Sequence, residues 1–318
     1  MNRTVLHLLI VAVACTLVFS NTLENGFQLD DAYRVQSNPG VQEFWPPWRH
    51  FLDPSTSSTM SRLVQYRPLL PLSLSINYAI SGDSLVGYHI GNLLLQILAS
   101  VAVYFLVREL LGHWSNATLS PHAPLLVALM FAVHPVSGIP VNYICSRDLP
   151  LMQMFLMVTL LCYARMRRLG ETRGRWSLCL GLLLLSLLSK KNGVVFPVLV
   201  LLFELLPAGQ SIRDRAVWRR VLTFAGAVVL FLLFIRFGLN FSDYDHVVIG
   251  ELTVAEYLSG QMQHHVFFYL RDFVWPFPIR VFPHYEHVAW QQAVGALCIL
   301  GSWVLAWRWR HRHPLVVF

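Results

Sequence analysis

Apolar residues run along this 318-residue chain in long blocks. They do not show the strict alternation of a half-buried strand. A helix crossing a bilayer needs about 20 mostly apolar residues at 1.5 Å per residue. Blocks of that kind lie near 4–20, 86–107, 123–141, 149–164, 176–189, 193–206, 221–236 and 289–307. They predict an all-α polytopic membrane protein with about eight transmembrane helices. The two blocks flanking residue 190 are short, so their helices are expected to meet below the outer surface. The first block follows a single arginine and also fits a signal peptide. The spans after it favour an anchor, and either reading puts Asn21 onward outside the cytoplasm.

The polar intervals set the orientation. With the N-terminus inside, the inner segments carry Arg3, Arg108, the run from Arg165 to Arg175, the run from Arg213 to Arg220, and Arg308, Arg310 and Arg312. These are 14 of the 24 basic residues, set against four acids: Glu109, Glu171, Glu204 and Asp214. This is the positive-inside pattern. It leaves a single transmembrane domain over 1–318, with short inner loops and two long outer excursions, 21–85 and 237–288. In the second, "YLSGQMQHHVFFYLRDFVWPFP" (257–278) has apolar stretches but also Gln261, Gln263, His264, His265, Arg271 and Asp272. Charges inside a bilayer cost several kcal/mol unless paired. Crossing would also put the arginine-rich C-terminal end outside. The segment is therefore expected to rest at the interface as an outer-face helix. "WPPWRHFLDP" (45–54) reads the same way in the first excursion.

Composition agrees: 55% hydrophobic, 13% charged and mean hydropathy +0.52, where a soluble domain carries about 25% charged residues. In such a chain the net charge of +7 is no sign of a nucleic-acid partner. The five cysteines make no CxxC pair, so neither a disulfide framework nor a zinc site is expected. The four histidines clustered in the second excursion, His264, His265, His284 and His287, lack HExxH or finger spacing. No metal or other cofactor is assigned. Phosphate-loop and GxGxxG motifs are missing, so a cytoplasmic nucleotide is not supported.

Candidate chemistry lies on the outer side. Asp30 and Asp31 follow the first span by about ten residues. Adjacent carboxylates cannot aim at one atom, but one can take a proton from a hydroxyl while the other orients it. The bland alternative is a solvated turn. Arg67, before Pro68, is a candidate for an anionic ligand or a headgroup contact. His89, Asn92, Gln96 and Ser100 share one face of the second span. Such a face lines a cavity or bonds to neighbouring helices. Arg147 and Asp148 fall at one outer mouth, Lys190 and Lys191 at another. Basic groups there suit a lipid phosphate or snorkel to headgroups.

In order along the chain come the acidic pair, "YRPL", "GYHIGNLLLQ", "FAVHPV", "SRDL", "LSK" and "YLRDFVWPFP". The ordered set resembles the GT-C superfamily of polytopic glycosyltransferases. Within it, the set resembles the protein O-mannosyltransferase-like branch that often carries C-terminal tetratricopeptide repeats. The resemblance runs from about residue 5 to 318. It implies an inverting transfer of a sugar from a polyprenyl- or dolichyl-phosphate donor to a hydroxyl of a protein or glycan acceptor. The reaction would sit on the periplasmic or lumenal face of a bacterial inner membrane or the endoplasmic reticulum. Asp30 or Asp31 is then the base, with Asp30 preferred. Arg147, Lys190, Lys191 and Arg67 hold the donor phosphate, and His89, Asn92, Gln96 and Asp148 line the pocket.

Two departures bear on this. Lys191 stands where the family often has an acid. The chain stops at "HPLVVF" where relatives continue, which sets a truncated and inactive product as one expectation. The competing functions are a transporter or flippase for an anionic lipid and an inactive scaffold of the same fold.

Overall fold

Helix ends in this chain are written by short polar residues, glycine and proline. In the computed structural model, which describes residues 2–61, 64–113, 120–241, 254–277 and 288–309, the elements are helical and no strand occurs among the described residues. Helix α1 (Arg3–Val18) starts where the Asn2 side chain accepts from the Thr4 amide at 3.1 Å. Helix α2 (Leu69–Ser81) ends at Gly82 with φ 57°, a left-handed position that glycine takes without strain. Helix α3 (Leu85–His113) is unbroken. Helix α4 (Ala123–Val133) stops at His134-Pro135, where proline removes a backbone donor, and the chain turns by 52° into Pro135–Asn142. Helix α5 (Asp148–Leu169) ends at Gly170, φ 93°. Helices α6 (Arg173–Ser189), α7 (Phe196–Leu205) and α8 (Arg215–Leu233) follow, α6 and α8 capped by the side chains of Thr172 and Asp214.

Among the described residues, four helical stretches are long and apolar enough to cross a membrane: Leu85–His113, Ile144–Leu169, Arg215–Gly238 and Ala289–Ala306; the bent pair after Ala123 adds a fifth if it counts as one span. This is fewer than the eight blocks suggest. The apolar blocks at 4–20, 176–189 and 193–206 are helical, but their helices have 16, 17 and 10 residues. Leu206-Pro207 closes the last of them, and a 3₁₀ turn over Lys191–Val195 separates it from α6. Apolar content predicted these helices, while turn chemistry shortened them.

The chain forms two units, Met1–Val247 and Val248–Phe318. In the first, Val11 and Cys15 of α1, Leu93 and Tyr104 of α3 and Ala128 and Ala132 of α4 form one core cluster. The two alanines lie one turn apart and are fully buried, which lets the helix backbones approach closely. A second cluster packs Val35 and Val41 of the first excursion against Leu70, Leu74, Tyr88 and Ile144. The excursion is thereby part of the folded core. Leu94, Leu98, Met130, Leu222 and Leu230 point outward and are exposed, a surface suited to lipid.

The two ends of this unit differ in charge. One gathers Asp30, Arg34, Arg67, Asp148 and Lys190. The other gathers arginines around Glu109, Glu171 and Glu204. Glu204 is fully buried and accepts from Tyr163, Arg167 and Arg220. In the expected outer-face segment at 45–54, α-helix is limited to Arg49–Leu52, and a 3₁₀ turn starts at Pro54. Trp45, Trp48 and Leu52 are exposed.

In the second unit, the segment expected at the interface is helical from Val254 through Val274, with a π stretch at His265–Leu270. It pairs with α9 (Ala289–Trp309), where Phe267 meets Trp290 edge-on and the Val288 amide donates to Gln263 at 3.1 Å. A Cβ at Gly295 would overlap the Met262 backbone, so only glycine allows this approach. Residues 242–253 and 278–287 of the second excursion, with His284 and His287, lie outside the described residues.

Candidate functional site

The adjacent aspartates face opposite ways. Leu29 adopts φ 45°, and the chain then turns into Ala32–Gln36. Asp31 goes inward and is fully buried. Its carboxylate accepts from the amides of Gln28 at 3.0 Å and Cys145 at 2.8 Å. Burial raises its pKa, with these hydrogen bonds acting the other way. Asp30 points out, its side chain 43% exposed. Its amide donates to the Tyr143 hydroxyl at 3.0 Å, and its carboxylate accepts from Arg34 Nε at 3.3 Å. Burial, then a hydrogen bond with Asp30, pushes the Tyr33 phenol up to about 12. Asp31 has the geometry of a brace and Asp30 that of a reachable base.

Beside them, Asp148 carries two cations. It opens α5 and is 1% exposed in its side chain; Arg67 Nη1 donates to it, and Lys190 Nζ lies 3.2 Å away. Arg67 sits at the entry to α2, and Lys190 caps the end of α6. Three separate segments thus meet on one carboxylate. Burial lowers the Lys190 pKa and Asp148 opposes that shift; Arg67 and Arg34 push in the same direction as burial. The influence of Arg34 on Lys190 places the Asp30 pair and the Asp148 cluster in one electrostatic neighbourhood. Arg34, Arg67 and Lys190 against Asp30 and Asp148 leave one positive charge. Lys191 is half-buried next to Lys190.

The other expected residues serve the interior. Arg147 is 2% exposed. Its Nε donates to Asn92 at 2.6 Å, Nη2 to Asn77 at 2.8 Å and the Tyr88 carbonyl at 2.7 Å, and Nη1 to the Ser73 carbonyl at 3.2 Å. Asn92 also donates to the Pro140 and Tyr143 carbonyls. His89 pairs with Thr22 and the Asn25 carbonyl, and Gln96 reaches the Phe131 carbonyl at 3.5 Å. The polar face of α3 therefore binds backbone carbonyls, the Thr22 hydroxyl and Arg147. Together these contacts hold the 140–147 turn that presents the Cys145 amide to Asp31. The structure brings Asp30, Arg67, Asp148 and Lys190 to the open end, and keeps Arg147, Asp31, His89, Asn92 and Gln96 inside.

Sequence reasoning passed over Arg34 and Tyr143. Arg34 was within reach, since i,i+4 from an acid is an ion-pair spacing. Tyr143 is 113 residues from Asp30 and had no local signal.

An apolar groove of about 670 Å³ adjoins the charged set, walled by Phe51, Tyr66, Leu183, Leu187 and Phe231 among others. Tyr66 precedes Arg67 in sequence, and Leu187 lies one turn before Lys190. Among the described residues, no group of three or more His, Cys, Asp or Glu is placed to hold a metal ion.

The family model described as dolichyl-phosphate-mannose-protein mannosyltransferase matches residues 67–236. The chain is 30% identical over 216 residues to protein O-mannosyl-transferase TMTC4 of Homo sapiens, covering 63% of this chain and 29% of that protein. It is 26% identical over 228 residues to protein O-mannosyl-transferase Tmtc3 of Drosophila melanogaster, covering 64% and 24%. The match thus spans less than a third of these relatives' length. No solved structure matches the chain.

Proposed function

Because the chain belongs to the dolichyl-phosphate-mannose-protein mannosyltransferase family, we propose that it is a membrane glycosyltransferase taking its sugar from a polyprenyl- or dolichyl-phosphate donor. The acceptor is a hydroxyl of a protein. The observation that carries this reading is the meeting of an open carboxylate, two cations sharing one buried acid, and an apolar groove. A lipid-phosphate sugar needs these three features: a channel for its chain, positive charge for its phosphate and a base for the incoming hydroxyl.

In the reaction, Asp30 takes the proton of the acceptor hydroxyl as its oxygen bonds to the sugar's anomeric carbon. The bond from that carbon to the phosphate oxygen breaks, and its electron pair leaves on the lipid phosphate. Arg67 and Lys190 stabilise that charge where it grows, with Lys191 beside them. Attack opposite the leaving group inverts the anomeric centre. Asp148 keeps the two cations in place between turnovers. Arg34 and Tyr33 orient Asp30, and Asp31 and Arg147 position the loop that carries it. By the positive-inside rule the arginine-rich end faces the cytoplasm, so the site opens to the lumen or periplasm.

Purified protein in lipid, supplied with labelled polyprenyl-phosphate sugars, tests this. Asp30→Asn should keep donor binding and lose turnover by about 10²–10⁴-fold, the usual contribution of a positioned base. Wild type that binds donor but moves it without transfer would favour a flippase. A folded wild type inert toward every donor would favour a scaffold.

A further inference from the structure

A second pocket lies at the arginine-rich end, far from Asp30. It has a volume of about 280 Å³ and is lined by Arg108 and Glu109 of α3, Arg165 and Arg168 of α5, and by Phe105 and Gly112. That is roughly nine water volumes, enough for a headgroup. Three guanidinium groups face one carboxylate, leaving two positive charges. Glu109 is 7% exposed in its side chain. It accepts from Arg168 Nε at 2.8 Å and Nη2 at 3.0 Å, and from Arg165 Nε at 3.4 Å. Arg108 Nη1 donates to Thr4 at 3.2 Å. Among the described residues, the terminal nitrogens of Arg165 and Nη1 of Arg168 have no acceptor. The neighbouring cluster differs, because there Glu171 and Glu204 together answer Arg167, Arg219 and Arg220.

Depth points to the kind of anion such a pocket would meet. Residues 85–107 carry no Asp, Glu, Lys or Arg, a length of about 34 Å of helix. Arg108 is therefore the first charge beyond the hydrocarbon, and Arg165 is likewise the first after the uncharged 149–164 stretch. Single arginines at that depth snorkel to headgroups. Three converging on a cavity between two helices make a receptor for one, as basic pockets between spans do.

We infer that this pocket binds the phosphate of an anionic lipid headgroup in the leaflet at the arginine-rich end. Arg165 and Arg108 grip the phosphate, and the Arg168–Glu109 pair holds the wall behind it. The inference is independent of the sugar-transfer reading, since it concerns the opposite end of the unit and is read by binding alone.

The test titrates purified protein in neutral detergent with dioctanoyl phosphatidic acid, dioctanoyl phosphatidylcholine and inorganic phosphate. Saturable binding of phosphatidic acid, with phosphatidylcholine at least about tenfold weaker, is expected. The Arg108→Gln/Arg165→Gln variant should weaken phosphatidic acid about tenfold or more, one to two charge-assisted hydrogen bonds. Both side chains are exposed, so an unchanged melting profile should accompany the loss. If the double variant does not fold, Arg108→Gln alone is read, as among the described residues its hydrogen bond is to Thr4, away from Glu109. Equal affinity for the two lipids, or full affinity in a folded variant, overturns the inference. Inorganic phosphate displacing phosphatidic acid at equal concentration overturns the lipid assignment and identifies a free phosphate site.

Discussion

The Cys145 amide donates to the Asp31 carboxylate at 2.8 Å across 114 positions of sequence. This bond fastens the first excursion to the turn before α5. It also sets the direction of Asp30, since consecutive side chains in that turn cannot both face inward.

Asp31→Ala would leave the buried amide of Cys145 without its acceptor and would also take away the partner of the Gln28 amide. Each such loss costs about 1–3 kcal/mol, so the variant should be about 3 kcal/mol less stable. Thermal unfolding of the purified protein reads this directly. Asp30→Asn, at an exposed position, should melt with the wild type. Equal melting of both variants would remove the brace role assigned to Asp31.

Arg147 donates four hydrogen bonds from inside the unit. Lysine cannot reproduce that planar fork. Arg147→Lys should therefore lower stability by roughly 3 kcal/mol, the scale of breaking a buried charged network. The folded fraction should bind donor with unchanged affinity. A selective loss of donor affinity at full stability would instead make Arg147 a phosphate ligand.

Lys190 is held below the ordinary lysine value of 10.5 by burial. Between its lowered pKa and 10.5 the unfolded chain binds the proton more often, so this group's effect on stability improves as pH rises there. Donor binding runs the other way, because the cation is lost. Affinity for a lipid-phosphate sugar should fall as pH rises through a value below 10.5. Lys190→Arg should keep affinity flat over the same interval. An identical pH profile in the two proteins would exclude Lys190 from the phosphate site.

Leu184 lines the apolar groove and is 45% exposed. Leu184→Trp fills that space. Affinity for a long polyprenyl-phosphate sugar should drop by about tenfold, on the order of one to two buried methylenes' worth of contact. A donor with a two-isoprene chain should be little affected. Equal effects on both donors would place the chain elsewhere.

Much of the architecture was readable from periodicity and charge. Uncharged apolar blocks have few stable states other than helices packed in a membrane, because a bilayer leaves backbone groups no partner but their own helix. Hence every block became a helix. Their lengths were harder to read. Pro135, Pro207 and the turn after Lys190 end helices through local backbone chemistry that hydropathy averages over. The pairing of Arg308-bearing α9 with the Val254–Val274 helix rests on close approach at Gly295, which no window of sequence reveals.

For the site, residue type by itself marked Asp30, Asp31, Arg67, Arg147, Asp148 and Lys190 as chemistry-bearing, since charges near a bilayer are costly to keep. Only the tertiary structure sorted them. Arg147 and Asp31 found hydrogen-bond partners on segments distant in sequence and are consumed by them. Asp30, Arg67 and Lys190 found partners that leave one side open. Sequence determines which groups must be satisfied. Which of them satisfy each other, and which are left facing outward, depends on contacts between segments that meet only when the chain is folded.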